Sequence, residues 1–579
     1  MLKTSKKSIF QLILIKPSHY DDEGYVIQWL RSAVPSNTLA ALNGLALDCE
    51  ERGALGEDVE ILVSSYDETN VRIRPGKIAR IIEESGGKGL VGLVGVQSNQ
   101  FPRAVDIARE LRGLGVQVCI GGFHVSGCLS MLPEVPADLQ EAMDLGVSLF
   151  AGEVDGRLDE VLGDALLGRL KPLYNFLDDL PALEGAPSPM LPTTQIKRTG
   201  GTMTSFDAGR GCPFECSFCT IINVQGRKSR WRSADDVERI IRMNIAQGVS
   251  SFFITDDNFA RNVEWEPILD RLIALRDEGL KVKLTIQVDT LCHKIKGFIE
   301  KCGRAGVKRV FIGLESINPD ALAGAKKRQN RIGEYRAMLQ AWHGIGALTC
   351  AGYILGFPVD TPESILRDIR IIQRELPIDL LEFFVLTPLP GSEDHKVLHE
   401  GGVWMDPDMN KYDAAHVTTA HPLMSLEEWK GIYDLAWKTY YSPAHMETVM
   451  RRARASGISV GQIMFMLIWF YGCWVFEKVH PLDGGYMRLK YRRDRRPGLP
   501  LENPLLFYPR WLWDFLSSQW GFLKLVLKFA PVRRRIKSDP RAREYTDLAL
   551  TPPAGQDRIE LELLTQTPSA KAAALRHAG

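Results

Sequence analysis

The sequence predicts an α/β protein with two parallel sheets in tandem, the second curled into a partial (β/α)6 barrel, followed by an α-rich C-terminal region. Three observations carry this. Apolar runs of strand length alternate with amphipathic helical patterns in two blocks, as in parallel sheets covered on both faces. A proline-rich stretch separates the blocks. After residue 400 the alternation stops and tryptophans gather, eight of the 12. A chain of 579 residues is also too long for one core.

Taken in order, 1–55 reads as an extension: the strand "IFQLILI" and the helix "SNTLAALNGLALDCEER", begun by Ser36 or Asn37. Residues 56–170 carry the first block, with strands "VEILVSSYD", "GLVGLVGV", "VQVCIGG" and "VSLFAGE" and helices between them. Residues 171–200 read as a linker. From 201 to 395 six strands, "MTSFDAG", "SSFFITDD", "VKLTIQVD", "RVFIGLE", "ALTCAGYILG" and "LLEFFVLTP", alternate with helices capped at Ser233 and Thr361. Residues 396–551 form the apolar and basic C-terminal region. Residues 552–579 read as a disordered tail.

Charged residues are 25% of the chain and the formal net charge is zero, so no global field draws in nucleic acid. Ten cysteines without a regular framework argue against a disulfide scaffold and for a reducing compartment. The start lacks the long apolar stretch and cleavage site of a secretory leader. A cytoplasmic location is expected.

"GRGCPFECSFCTI" places Cys212, Cys216 and Cys219 in the spacing C-x3-C-x2-C. Structural zinc wants four ligands, and no fourth Cys or His lies nearby. A cubane held by three thiolates keeps one iron open. With the aromatic Phe218 before the last cysteine, and its place after the first barrel strand, this motif resembles the radical S-adenosylmethionine (SAM) signature. "FITDDNF", "GLES", "GYILGFP" and "TPLPGS" fall at later strand ends, in the order that superfamily uses. The resemblance implies a [4Fe–4S] cluster on the three cysteines, with SAM chelated by the open iron and cleaved to a radical that abstracts hydrogen from substrate. It also implies SAM contacts from Phe218, Asp256, Asp257, Glu315, Gly352, Gly356 and Pro388. Glu315 would take SAM hydroxyl or amino groups, or else serve as a helix-start carboxylate. Asp256 and Asp257 would orient SAM, or be ordinary loop acids.

Residues 56–170 resemble the flavodoxin-like cobalamin-binding domain that precedes many such barrels, where ligands sit at the C-terminal strand ends. The family's D-x-H-x-x-G loop reads Asp67 to Arg72 here, with Thr69 at the histidine position, so a protein ligand to cobalt is missing. Asp67, Thr69, Ser98, Gly121, Gly122, Gly152 and Glu153 occupy the remaining cobalamin-site positions. Bare glycine backbone permits close approach. His124 would approach the corrin, or be a plain surface-loop histidine. The domain would bind cobalamin, or only scaffold the barrel.

In the C-terminal region, Ile458 to Phe476 runs without a charge. It reads as a core helix capping the barrel, a monotopic anchor, or a membrane span. The basic run Arg488 to Arg496 beside aromatic segments would favour anionic headgroups at the inner membrane face. No RNA-binding module accompanies it.

The resemblance therefore implies a cobalamin-dependent radical SAM enzyme that methylates an unactivated carbon of a hydrophobic or lipid-like substrate, fed by an electron donor such as flavodoxin or ferredoxin. The alternatives are an oxidative cyclase or rearrangement enzyme; a methylthiotransferase without cobalamin, using Cys49, Cys119 and Cys128 for a second cluster; and a non-enzymatic cobalamin sensor or scaffold.

Overall fold

The computed structural model describes residues 7–201, 203–551, 560–568 and 571. Much of the tail expected to be disordered, including 552–559, lies outside the described residues. The helix Glu560–Leu564 lies within them and buries Leu561.

The first sheet has six parallel strands in the spatial order Val59–Asp67, Ser8–Lys16, Gly89–Leu93, Val118–Gly121, Ser148–Gly152, Leu173–Phe176. Two segments set outside this unit by the sequence reading are therefore inside it. Ser8–Lys16 is an interior strand, in register from Ser8 opposite Val59 to Lys16 opposite Asp67. Its run Phe10, Leu12, Ile13, Leu14 and Ile15 is buried on both faces, which only an interior strand can provide. Leu173–Phe176 is an edge strand too short to show a pattern.

The second sheet also has six parallel strands, in the order Leu380–Val385, Leu348–Leu355, Val307–Glu315, Lys283–Val288, Ser251–Ile254, Met203–Phe206. Its end strands are not hydrogen-bonded to each other, so the barrel is open. Ser233 and Thr361 begin their helices with reciprocal capping boxes. The edge strand Met203–Phe206 packs on the helix Asn37–Glu51, which also contacts the first sheet and so lies between the two units. The other edge is covered by the helices Leu426–Tyr440 and Val460–Val475. Three tyrosines donate to backbone carbonyls there: Tyr433 to Phe383 (3.1 Å), Tyr440 to Ile378 (2.9 Å) and Tyr441 to Leu381 (3.0 Å). Side chains thus satisfy part of an edge that would otherwise offer itself to another strand.

The charge-free run is accordingly core. Val460–Val475 buries Ile463, Leu467, Phe470 and Cys473, and no helix among the described residues is long and apolar enough to cross a membrane. Most of the basic run is engaged within the protein rather than free for headgroups. Gly485–Leu489 pairs antiparallel with Gln28–Ser32. Arg488 bonds Asp21 (2.8 Å), Lys490 bonds Glu23 (2.6 Å), Arg496 bonds Asp408 (2.7 Å), and Asp494 accepts two bonds from Arg72 (both 2.6 Å).

Candidate functional site

The cysteine loop leaves the first barrel strand at Asp207 and is shaped by Asp256 at the end of the second. One carboxylate oxygen of Asp256 accepts the N–H groups of Ala208 (2.7 Å) and Gly209 (2.8 Å); the other accepts from the Asn262 amide (2.9 Å). Asp256 is thus a loop-orienting residue with both oxygens occupied by protein. Burial pushes its pKa, and that of Asp257, up to about 7.

Further along, Cys212 N–H donates to Gly226 (3.2 Å), Ser217 N–H to Ala325 (3.1 Å) and Cys219 N–H to Cys216 (3.1 Å). Cys216 is buried and Cys212 and Cys219 are partly buried. Burial pushes the Cys212 thiol up to about 11 and the Cys219 thiol to about 12, with the Asp257 carboxylate adding to both. The Gln329 amide lies 3.5 Å from Cys216 Sγ.

Glu315 ends the fourth barrel strand with φ of 62°, a left-handed conformation uncommon outside glycine. Its carboxylate accepts from Lys327 Nζ at 2.8 Å, and that ammonium sits 5.6 Å from the centre of the Phe218 ring. Burial works against the Lys327 charge, but Glu315 and the neighbouring Cys216 and Cys219 overcome it and hold its pKa above the ordinary lysine value. Cysteines, lysine, glutamate and aromatic ring therefore share one place at the C-terminal end of the barrel.

Phe218 also meets Phe357 edge-on at 6.4 Å, within a small apolar cluster with Ile354, Phe384 and Leu386. Gly352 lies inside the barrel, where a Cβ would press on Phe311 at 3.1 Å and Phe384 at 3.3 Å. Gly356, at φ +101°, faces the indole of Trp429 from the C-terminal helix. Pro388 is buried in the loop after the last strand.

In the first sheet, a cavity of about 190 Å³ opens among the strand ends. Gly121, Gly122, Gly152 and Glu153 line it; Asp67, Thr69 and Ser98 do not. Asp67 instead closes its own turn, accepting the Thr69 N–H (3.0 Å) and hydroxyl (2.6 Å). Ser98 bonds His124 Nδ1 at 3.2 Å. His124 is fully buried rather than on a surface loop, with Nε2 2.8 Å from Asp138. Ser126, unlike Ser98, lines the cavity, and its hydroxyl accepts the Gly152 N–H at 3.1 Å. A Cβ on Gly122 would lie 2.2 Å from Val96 N, so the chain itself requires this glycine.

The cavity also reaches Arg210, Val224 and Gln225 of the cysteine segment. Arg210 joins the two units: its guanidinium bonds Glu153 (2.5 Å), Asp155 (2.8 Å) and Asp207 (2.9 Å), while Arg230 takes Glu153 from the other side at 2.9 Å. Glu153 is therefore an ion-pair partner across the junction as well as a wall of the cavity. The helix Phe123–Met131 closes the same junction, with Gly127 against Pro390 and Gly391 of the "TPLPGS" loop.

Sequence reasoning passed over Lys327, Arg210, Asp155 and Ser126. Lys327 sits in "AKKRQN", which reads as a solvated charge run; only folding brings it beneath Glu315. Cys49 bonds Asp159 (3.1 Å), Cys119 lines the cavity, and Cys128 belongs to a different core cluster. Among the described residues, no three His, Cys, Asp or Glu side chains are grouped to hold a single metal ion.

Comparison with known proteins gives the following. Residues 208–372 match the model of the Radical SAM superfamily. The bacteriochlorophyllide d C-12(1)-methyltransferase of Chlorobaculum tepidum is 27% identical over 319 residues, covering 54% of this chain and 66% of that protein. The hopanoid C-2 methylase of Rhodopseudomonas palustris is 23% identical over 303 residues, covering 49% and 53%. The chain thus spans between half and two thirds of these relatives' lengths. The solved radical SAM methyltransferase TsrM from Kitasatospora setae, with cobalamin and a [4Fe–4S] cluster bound, superposes with a TM-score of 0.57 at 16% identity, covering 76% of this chain and 90% of that one. At that identity the likeness is one of fold.

Proposed function

We propose that this chain, whose residues 208–372 match the Radical SAM superfamily, is a cobalamin-dependent radical SAM methyltransferase acting at an unactivated carbon of a hydrophobic molecule. The observation that carries this reading is the junction itself: a cavity at the strand ends of the first sheet that runs to the loop bearing three thiols. When bound, a [4Fe–4S] cluster supplies the electron for SAM cleavage, and a corrinoid supplies a methyl carrier.

The residues present suit those groups. Three thiols with no fourth ligand beside them fit a cluster with one open iron better than zinc. Cys212, Cys216 and Cys219 would hold it, giving up their protons on ligation. Lys327 would offset the thiolate charge and fix Glu315 toward SAM. Phe218, Asp257, Gly352, Gly356 and Pro388 would complete the SAM pocket, with Asp256 holding the loop. Gly121, Gly122, Gly152 and Ser126 would border the corrinoid, and Arg210 would keep that cavity against the cysteine loop. Asp67 and Thr69 would shape a neighbouring turn, and Ser98 would brace His124.

Phe311 and Phe384 meet over Gly352 inside the barrel and offer an apolar wall that excludes water from a radical. That wall supports a hydrophobic substrate, as do relatives named for a chlorophyllide and a hopanoid. A small flavodoxin or ferredoxin would deliver the electron.

The test compares lipid and pigment extracts of cells carrying the intact gene with cells carrying Cys216→Ala, both grown with methyl-labelled methionine. One labelled, methylated species should be lost in the variant. Identical extracts would overturn the reading, and loss of a ring-closed species without label would assign the enzyme to cyclisation.

A further inference from the structure

The helix Pro504–Ser538 is 35 residues long and has two opposed faces. Inward, Phe507, Ser518, Phe529 and Ile536 are buried, at spacings close to whole helical turns. Outward, Leu505, Leu512, Leu516, Leu523 and Leu527 recur at steps of seven and four and form one stripe. Trp513 and Trp520 stand beside it, 72% and 53% exposed, and Leu527 is 60% exposed. The solvent side of this helix is thus apolar and aromatic over several turns, well beyond the scattered apolar residues of an ordinary surface.

Charge indicates what covers it. From Phe515 to Ser538 the helix has six basic side chains and no acidic one. Arg535 is paired with Glu447. Among the described residues the other five, Lys524, Lys528, Arg533, Arg534 and Lys537, have no carboxylate within ion-pair distance. Lys524 and Lys528 lie one and four residues after Leu523 and Lys524 respectively, on the flank of the stripe, and Lys524 Nζ is 5.5 Å from the centre of the Trp520 ring. Long cationic stems beside tryptophans at the edge of an apolar stripe are the arrangement of a helix lying in a bilayer interface, rings at headgroup level and ammonium groups reaching the phosphates.

We propose that Pro504–Ser538 docks this protein flat on an anionic lipid bilayer, without crossing it. The surface lies in the aromatic segment that follows the basic run, whereas Val460–Val475 is core and most of the basic run before Pro497 is engaged within the protein. A second copy is the weaker occupant, because it would bring uncompensated cations of one chain to an apolar face that carries no matching acids. The proposal does not depend on the reaction catalysed.

The test is flotation of the full-length protein with vesicles of phosphatidylcholine containing phosphatidylglycerol, beside vesicles of phosphatidylcholine alone, with mass determination by light scattering. We expect at least tenfold more protein on the anionic vesicles. Trp513→Glu with Trp520→Glu should abolish flotation, and Lys524→Glu with Lys528→Glu should remove the anionic preference; all four sites are on the outer side of the helix, and unchanged circular dichroism checks the fold. Failure of the wild-type protein to float, or equal binding to both vesicles, would overturn the proposal. A stable dimer abolished by the tryptophan variant would also overturn it and assign the face to a second copy.

Discussion

Arg210 gathers Glu153 and Asp155 from the first unit and Asp207 from the barrel, in surroundings where each carboxylate is nearly buried. Removing the cation leaves Asp155 without an ion pair, and leaves Glu153 to Arg230 and Asp207 to Arg232 alone. Arg210→Ala should therefore cost about 3–5 kcal/mol in chemical unfolding, the usual effect of breaking a buried pair; a loss under about 1 kcal/mol on that scale would mean that water already screens the cluster. Lys327 is a second such point. Lys327→Gln removes a cation beside Cys216 and Cys219, so a reconstituted cluster should be harder to reduce, read as a more negative midpoint in a titration followed by electron paramagnetic resonance. An unchanged midpoint would place Lys327 outside the cluster's field. His416 joins Asp22 (2.9 Å) to Asp413 (2.8 Å). Burial opposes its charge, but the two carboxylates prevail and raise its pKa to about 10. A raised folded-state pKa gives stability that is complete below the unfolded value of 6.5 and lost as pH climbs through 10. The gap in Tm between wild type and His416→Gln should be constant below pH 6.5 and shrink toward pH 10; a gap that does not vary with pH would contradict this.

Among the elements, Gly356 shows how the C-terminal helices seat on the barrel. A Cβ there would lie 2.0 Å from the Trp429 indole, a rigid ring itself 1% exposed. Gly356→Ala should thus destabilise by about 1–3 kcal/mol or more, by overpacking joined to a left-handed φ, and the helix Leu426–Tyr440 should gain amide exchange. Normal protection in that helix would show that the indole moves aside. The barrel strands were legible because each is a short apolar run between helical patterns. Ser8–Lys16 was read as a strand but not as a member of the sheet, since its neighbours Val59–Asp67 and Gly89–Leu93 lie far along the chain. Val460–Val475 was ambiguous for a related reason. An apolar helix buried by protein and one buried by lipid have the same composition, and only the partners Asp434 and the barrel edge separate them.

For the whole molecule, the cysteine triplet was legible because its chemistry is local, with three thiols in eight residues. The junction was not, because Arg210 and Glu153, and Gly127 and Pro390, are brought together only by the packing of one sheet on the other. That packing makes a two-cofactor reading specific, since the cavity is lined by Arg210, Val224 and Gln225, which flank the thiol-bearing loop. The direct measurement is iron and cobalt per chain in protein reconstituted anaerobically with iron, sulfide and hydroxocobalamin, then desalted. The account predicts about four irons and about one cobalt, from the stoichiometry of a single cubane and one corrinoid, with the iron lost and the cobalt retained in Cys216→Ala. About eight irons and no cobalt, as for two cubanes, would contradict it.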